Sequence, residues 1–152
     1  MKEPKQLSVS AIQNGTVIDH VPAKNLFKVI QILGLDKIDT QITFGTNLES
    51  KKLGKKAIIK ISGVYFEDED INRIALVAPD AKLNIIRDYE VVEKKVVVVP
   101  DSITGIAKCM NPKCITNFEH VTTKFRVVSK INVALKCHYC EKITNQENLH
   151  II

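Results

Sequence analysis

Apolar and polar residues alternate along the first part of the chain, in the stretch LSVSAIQNGTVIDHV. Alternation with a period of two predicts β-strand, and the Asn14-Gly15 pair inside it favours a tight turn with positive φ. The next stretch, PAKNLFKVIQILG, repeats apolar residues every three or four positions, starts with Pro22 and stops at Gly34. Proline is common at the start of a helix and glycine just past its end. The pattern therefore predicts one or two strands followed by a helix.

The middle of the chain continues this order of elements. DTQITFGT and KKAIIKISGVYF are strand candidates separated by a lysine-rich loop, and KLNIIRDYEVVEKKVVVV adds further strand. Between them, EDEDINRIALVAPD has clustered acids that complement the positive end of a helix, and Pro79 ends it. The order βαββαβ with an extra strand predicts an α+β fold, a ferredoxin-like sandwich with two helices on one face of an antiparallel sheet. Because uncovered sheet faces and edges often pair with a copy of themselves, we expect a homodimer through this domain.

A domain boundary is predicted near residue 100. In KKVVVVPDSITG a strand of four valines stops at Pro100 and an Asp-Ser turn follows, which divides the chain into domains 1–100 and 101–152. In the second domain, HVTTKFRVV and KFRVVSKINVALKC are rich in β-branched and aromatic residues with partial alternation. They predict short antiparallel strands and a small all-β domain.

All four cysteines lie in this second domain, with the spacing Cys109-x4-Cys114 and Cys137-x2-Cys140. Two such pairs can present four thiolates to one tetrahedral ion, and zinc suits a closed all-cysteine shell in which it is structural. We expect one structural zinc ion per chain, without which the C-terminal third unfolds. The alternatives are a redox Cys-x-x-Cys pair and unrelated buried thiols. His120 or His138 could in principle replace a thiolate, but four cysteines make neither necessary.

Charge and glycine motifs limit the other function classes. The formal net charge is +5, but residues 61–100 carry five bases against eight acids, whereas a protein that coats nucleic acid is more uniformly basic. A zinc-ribbon nucleic-acid binder remains a rival interpretation, and ESKKLGKKAIIK fits either a solvated loop or an anion site. No phosphate-cradling glycine motif occurs, so a nucleotide site must rely on side-chain cations. A third interpretation is an enzyme that uses Asp19 and His20 as a base.

Localisation follows from what the sequence lacks. No apolar run approaches the roughly 20 residues that cross a bilayer. The first ten residues, MKEPKQLSVS, lack the apolar core of a secretory signal. We expect a cytoplasmic protein with no membrane partner.

Three stretches carry a resemblance to a known family: GTVIDHVPA, NIIRDYEVVEK and ALKCHYCEK. With the cysteine spacing, the chain from Leu7 onward closely resembles the regulatory chains of aspartate carbamoyltransferase. The resemblance implies a non-catalytic subunit in pyrimidine biosynthesis. Its first domain would bind CTP, ATP and possibly UTP, and its zinc domain would dock on the catalytic chain. It also implies a holoenzyme of two catalytic trimers bridged by three regulatory dimers.

The resemblance also implies site residues. Those for the nucleotide are Val9, Ser10, Ala11, Ile12, Val17, Asp19, His20, Lys56, Lys60, Asn84, Ile86, Tyr89, Val91 and Lys94. Asp19 and His20 match contacts to ribose and phosphate, and the ammonium groups of Lys60 and Lys94 suit ribose and triphosphate oxygens. Asn47 would join Lys56 when a second nucleotide binds. Taken alone, the apolar members fit plain strand core and the lysines fit a solvated surface.

The docking residues that the resemblance implies are Asn111, Tyr139 and Glu141. The chain departs from the family pattern at Ser10, where an acid is usual, and at Lys113, where a smaller amide is usual. Its second cysteine pair is also one residue closer to the first. These departures bear on the sign and size of each effector's response.

Overall fold

The computed structural model describes residues 11–152, whose first part forms a sheet covered by two helices. The elements are β1 (Gly15–Pro22), α1 (Leu26–Leu33), β2 (Ile42–Ser50), β3 (Gly54–Ser62), α2 (Asp68–Arg73), β4 (Lys82–Arg87) and β5 (Glu90–Val96). The strand order is β2-β3-β1-β4-β5, and every neighbouring pair is antiparallel. This is the predicted ferredoxin-like order with an extra strand at one edge, so the predicted fold class is confirmed.

The sheet buries one face against the helices. Ile18, Ile59 and Leu83, which alternate with less buried neighbours on the three central strands, are fully buried. They belong to one apolar cluster with Leu26 of α1 and Ile71 of α2. Burial of an aliphatic side chain of this size contributes about 1.5–3 kcal/mol, so this layer dominates the stability of the first part.

Both helices occur where the sequence predicts them. Helix α1 ends at Gly34, whose φ of 65° is the left-handed conformation that glycine adopts without cost. Helix α2 begins with the predicted acids Asp68, Glu69 and Asp70 but is short, and a 3-10 turn at Ile74–Leu76 carries the chain to Pro79. The second helix is therefore shorter than its sequence pattern.

Two strand predictions need correction. The four-valine strand does not reach Pro100, because β5 ends at Val96 opposite Lys82, the first residue of its partner β4. The Asn14-Gly15 pair does not join two strands within the described residues: β1 begins at Gly15, and an added Cβ there would lie 2.1 Å from the Ile61 carbonyl oxygen. The earlier strand candidate falls largely before residue 11, outside the described residues.

The second part consists of short strands and 3-10 turns. Its strands are β6 (Ser102–Thr104), β7 (Ala107–Lys108), β8 (Lys124–Ser129), β9 (Ala134–Cys137), β10 (Ile143–Asn145) and β11 (His150–Ile151). They form a four-stranded sheet in the order β10-β9-β8-β6 and a separate β11-β7 pair. The inward side chains include Ile103, Phe125, Leu135 and Leu149, each at most 4% exposed. This confirms the predicted small all-β domain. Its two- and three-residue strands are too short to show a periodic pattern of apolar residues in the sequence.

The two parts contact each other through polar side chains as well as apolar ones. The Gln146 amide donates to the Leu76 carbonyl oxygen at 2.8 Å, and the buried Asn25 amide donates to the next carbonyl, that of Val77, at 2.7 Å. Both acceptors lie at the end of the 3-10 turn after α2. The carboxyl end of α2 is therefore held from both parts of the molecule. Among residues 11–152, no helix has the length and apolar content needed to span a membrane.

Candidate metal centre and effector site

The four thiols converge on one point in the second part. Their sulfur atoms all lie within 4.8 Å of one another, with Cys109 Sγ 3.6 Å from Cys140 Sγ and Cys114 Sγ 3.7 Å from Cys137 Sγ. A tetrahedral ion with metal–sulfur bonds near 2.3 Å separates its sulfurs by about 3.8 Å. The two pairs are therefore spaced as one tetrahedral tetrathiolate requires.

Local hydrogen bonds shape the loops that carry the thiols. The Asn117 side chain donates to the carbonyl oxygens of Cys109 and Asn111, at 3.1 and 2.7 Å, and closes the first loop. In the second loop, Glu141 N donates to the Cys137 carbonyl at 3.0 Å, and Glu141 takes a positive φ of 64°. Each cysteine pair thus sits on a turn whose backbone is satisfied internally.

The protein environment acts differently on the individual thiols. Burial raises the pKa of the Cys109 and Cys137 thiols. Burial also tends to raise the pKa of Cys140, but hydrogen bonds from the Asn111 side chain and the Lys142 backbone outweigh it and lower this pKa to about 7. Thiols in apolar surroundings favour the protonated form, so a bound metal must displace protons to form the thiolates.

The alternatives to a metal centre explain this arrangement less well. A redox pair needs only Cys137 and Cys140, and unrelated thiols would not bring both pairs within contact. Among the described residues the four-sulfur cluster includes neither histidine. His138 is exposed and packs edge-to-face on Tyr139, with ring centroids 5.0 Å apart.

On the first sheet, four of the predicted nucleotide-binding residues form a row across the outward face. Val17 of β1 lies opposite Lys60 of β3 and Asn84 of β4, and Asn84 lies opposite Lys94 of β5. Residues directly opposite in antiparallel strands project to the same face. This is the face away from the helices, because the neighbouring Ile18 is in the core. Burial lowers the pKa of the Lys60 ammonium, which is thus partly removed from water.

Asp19 and His20 lie beside this row, two and three residues beyond Val17 in β1, where the strand bulges between Ile18 and Val21. His20 takes a positive φ of 62°, and its N–H donates to Asp19 Oδ1 at 2.6 Å. Lys56 Nζ lies 3.0 Å from the same carboxylate oxygen. The bulge turns both side chains toward the outward face and its lysines.

A cavity of about 430 Å³ opens at this place. Its lining includes four predicted residues, which are Asp19, His20, Asn84 and Lys94. It also includes three residues that sequence reasoning missed, which are Lys82, Lys95 and Val96. Lys82 could have been found from its place opposite Asp19 in the β1–β4 register. Lys95 is held by Asp68, with Nζ 2.9 Å from Oδ1, so it is less available to a ligand.

The remaining described residues predicted to bind the nucleotide lie on the other side of the row from Asp19. Ile86 faces Gly15 across the β1–β4 pair and Val91 across the β4–β5 pair, and Tyr89 N donates to the Gln13 carbonyl at 2.9 Å. This bond holds the segment with Ala11 and Ile12 beside the β4–β5 turn. Asn47 is exposed at a bulge in β2, and the cavity lining does not include it. Val9 and Ser10 lie outside the described residues.

The predicted docking residues surround the metal centre. Asn111 hydrogen-bonds Cys140, and its Oδ1 also accepts from Lys113 N at 3.0 Å. Tyr139 is 39% exposed and Glu141 is exposed. Asn111 therefore supports the cysteine loops directly, whereas Tyr139 and Glu141 present side chains outward.

An α+β domain followed by a small β domain with four converging thiols defines the class: a two-domain metal-binding protein. Residues 7–98 match the model of the aspartate carbamoyltransferase regulatory chain, allosteric domain, and residues 101–150 match the metal binding domain of that chain. The chain belongs to the family of aspartate carbamoyltransferase regulatory chains. It is accordingly a regulatory chain and not the catalytic subunit.

Individual relatives agree with the family models. Aspartate carbamoyltransferase regulatory chains of Bacteroides fragilis and Bacteroides thetaiotaomicron are 60% and 59% identical, each over 100% of both chains. The regulatory chain of Pyrococcus horikoshii is 53% identical over 95% of this chain and 96% of its own length. The similarity therefore covers both the allosteric and the metal-binding domains.

Proposed function

We propose that this regulatory chain binds CTP, ATP and UTP on the outward face of its first sheet and transmits their effect to the catalytic chain. The observation that carries the proposal is the row of Lys60, Val17, Asn84 and Lys94 across four strands, with Asp19 and His20 beside it on β1. The ammonium groups of Lys60 and Lys94 can bind the triphosphate of a nucleotide, and the base can lie beside the Asn84 amide between them.

The chemistry of the row suits a nucleotide. Ammonium groups bind phosphate oxygens strongly, and the partial burial that lowers the pKa of Lys60 also strengthens its attraction to an anion. The side-chain amide of Asn84 and nearby strand ends offer donors and acceptors that differ toward amino and keto pyrimidines. The carboxylate of Asp19 suits a ribose hydroxyl, and its ion pair with Lys56 offsets its charge toward phosphate.

Calorimetric titration with CTP tests the site. Lys94→Ala should weaken CTP binding by about 10- to 100-fold, because a charge-assisted hydrogen bond is worth about 1.5–3 kcal/mol. The matched control is Lys37→Ala, an exposed lysine on the turn after α1. Equal affinities for wild type, Lys94→Ala and a second variant, Lys60→Ala, would contradict the nucleotide site.

We propose that the metal is zinc, one ion per chain. Four soft thiolates at tetrahedral spacing suit Zn²⁺, which when bound would stabilise the fold without supplying a reactive position. Elemental analysis of the purified chain should give one zinc per chain, and titration with a mercurial should release it. Iron or no stoichiometric metal would contradict the assignment.

We propose that residues 1–100 and 101–152 are the two domains and that the second docks on the catalytic chain through Asn111, Tyr139 and Glu141. Because Asn111 contacts Cys140, its variant is informative only with metal content measured alongside. Tyr139→Ala avoids this difficulty and should weaken assembly with the catalytic chain while metal content stays unchanged. Assembly of Tyr139→Ala and Glu141→Ala at wild-type affinity would contradict this docking site.

The proposed homodimer is supported by exposed apolar residues beside the free edge of β2. Phe27 is 68% exposed and Phe44 is 46% exposed, and their rings meet edge-to-face at 6.1 Å. A free edge strand beside exposed aromatics is suited to pairing with a second copy. Phe44→Glu should therefore shift sedimentation of the purified chain toward monomer, whereas Tyr65→Glu, on the far side of the sheet, should not. Dimers cross-bridge the catalytic trimers in the proposed cytoplasmic holoenzyme of two trimers and three dimers.

The proposed signal passes through the Val96–Ser102 linker. Effector binding would change the packing of the allosteric dimer and thereby the placement of the metal-binding domain on its partner. Coupling of this kind is commonly worth about 1–3 kcal/mol and is reciprocal. Substrate analogues bound to the catalytic chain should therefore change CTP affinity by the same factor by which CTP changes theirs, and no change in either direction would contradict the coupling.

A further inference from the structure

The outward face of the four-stranded sheet in the metal-binding domain is unusually cationic. The basic face, as we name it, comprises the outward side chains of β6, β8 and β9 and the residue after β9: Ser102, Thr104, Lys124, Arg126, Lys136 and His138. All of them except Lys136 are exposed, and Lys136 is half-buried. They line a concavity of about 390 Å³ together with Glu141. The cavity lined by Asp19, Asn84 and Lys94 is on the other domain, so the basic face is a separate surface.

The cations of the basic face are direct neighbours. Arg126 of β8 lies opposite Lys136 of β9, and His138 N donates to the Lys124 carbonyl oxygen at 2.8 Å, which places these two side by side. Like charges directly opposite in a sheet destabilise it. A pairing of this kind is unfavourable in the free chain and becomes favourable when an anionic surface covers it.

The carboxylates among the described residues do not neutralise this face. Within residues 11–152, Lys124, Arg126 and Lys136 form no ion pair, whereas Lys130, at the end of β8, is 2.6 Å from Asp101 Oδ1. Of the residues that the structure describes, Glu141 is the one acid that lines the concavity. Three positive side chains therefore remain uncompensated on a surface that is a few residues across.

Apolar side chains border the cations. Val128, at the bulge that follows Arg126 in β8, is 43% exposed, and Ile143 lies opposite Lys136 and is 42% exposed. A cationic centre with an aliphatic border suits a protein surface, because a free anion gains nothing from valine and isoleucine. Single-stranded nucleic acid would favour rings that are free to stack, but Phe125 of β8 is 2% exposed on the inner side, and the exposed rings of His138 and Tyr139 pack edge-to-face on each other.

We infer that the basic face binds a segment of the catalytic chain that has acidic residues at its centre and aliphatic residues at its border. The opposite charges of the two surfaces would speed the association of the two chains. The inference rests on the proposed docking function, to which it adds a second surface and its chemistry. The face is continuous with the proposed docking residues, since Glu141 lies at its rim and His138 packs on Tyr139. Complementary charge mainly raises the association rate, and it does so most at low ionic strength.

The test uses full-length chain and intact catalytic trimer, with association followed by stopped flow at low and high salt. Arg126→Glu and Lys136→Glu should each slow association by about tenfold or more at low salt and should flatten its salt dependence. Arg126→Lys should retain most of the wild-type rate, and Lys37→Glu, the same charge change on the other domain, should behave as wild type. Metal content, measured on every variant, verifies that the cysteine centre is intact.

Each outcome has a distinct meaning. Unchanged rate and salt dependence in both reversal variants, while wild type assembles, overturns the inference but leaves the proposed docking function standing. Wild-type chain that fails to assemble with the trimer overturns both. A gel shift with a short duplex at low salt that Arg126→Glu abolishes, alongside unchanged assembly, assigns the face to nucleic acid and also overturns the inference.

Discussion

The two domains differ in what stabilises them. The allosteric domain has strands of up to nine residues and buries the inner face of its five-stranded sheet under two helices. The metal-binding domain has strands of two to six residues, and its core is a handful of large side chains beside four thiols. Because a segment of about 50 residues buries little apolar surface, we expect the second domain to depend on a bound metal, whereas the first depends on packing.

The outward faces of the two sheets differ as well. The first presents Lys60 and Lys94 separated by an amide, beside a carboxylate, which suits the nucleotide that we propose. The second presents contiguous cations with an aliphatic border, which suits the docking partner that we infer. In these proposals the same cross-strand geometry serves a ligand site or a docking face according to which residues occupy the outward positions.

The largest effect should come from the metal. Cys114→Ser, or removal of the metal by a chelator, should unfold the metal-binding domain, because structural zinc supplies on the order of 10 kcal/mol to such modules. Hydrogen exchange should lose protection at Phe125 and Leu135 and keep it at Ile59. Thr116→Val, which removes only the hydroxyl 3.2 Å from Cys114 Sγ, is the matched mild variant. If both domains keep their protection from hydrogen exchange after metal loss, they do not differ in their dependence on metal.

The converse change should affect the allosteric domain. Leu83 is fully buried on the central part of the first sheet, so Leu83→Ala should destabilise that domain by about 2–5 kcal/mol. Metal content and the protection of Leu135 should stay close to wild type. Loss of metal in this variant would show that the two cores fold as one unit.

A smaller effect is expected at the polar contact between the domains. Gln146→Ala leaves the Leu76 carbonyl without its donor and should reduce stability by about 1 kcal/mol. If this hydrogen bond couples the stabilities of the two domains, their melting transitions should also move apart in calorimetry. Asn148→Ala, an exposed amide two residues away, serves as control. Identical behaviour of the two variants would show that the Gln146 hydrogen bond does not stabilise the contact between the domains.

The smallest effect concerns the ion pair at the start of the second domain. The Lys130 ammonium, through its hydrogen bond and its charge, lowers the pKa of the Asp101 carboxyl from 3.8. A folded-state pKa below the unfolded value stabilises the protein above that unfolded value, and this contribution disappears as the pH falls through the folded pKa. Asp101→Asn should therefore reduce thermal stability slightly at neutral pH and have no effect at strongly acidic pH. Added salt should shrink even the neutral-pH difference.

Much of the fold was predictable from local patterns. Helix α1 follows from its spacing of apolar residues and from Gly34, and the ferredoxin-like order follows from the alternation of strand and helix segments. The short strands β7 and β11 were not predictable, because two residues carry no periodicity and exist as strands only through their partners. The early end of β5 was missed for the same reason: Val97 to Val99 favour strand, but β4 offers nothing to pair with beyond Lys82.

The amino-acid sequence alone determined the four candidate metal ligands and their chemistry, because thiol identity and spacing are local properties that do not depend on the arrangement of the rest. It also determined the fold class through the order of its elements. Only the tertiary structure decided that Lys60, Asn84 and Lys94 share one row, that Lys82 joins them, and that Arg126 faces Lys136. These are relations between strands distant in sequence, and the register of strand pairing, which no local pattern encodes, sets which side chains meet.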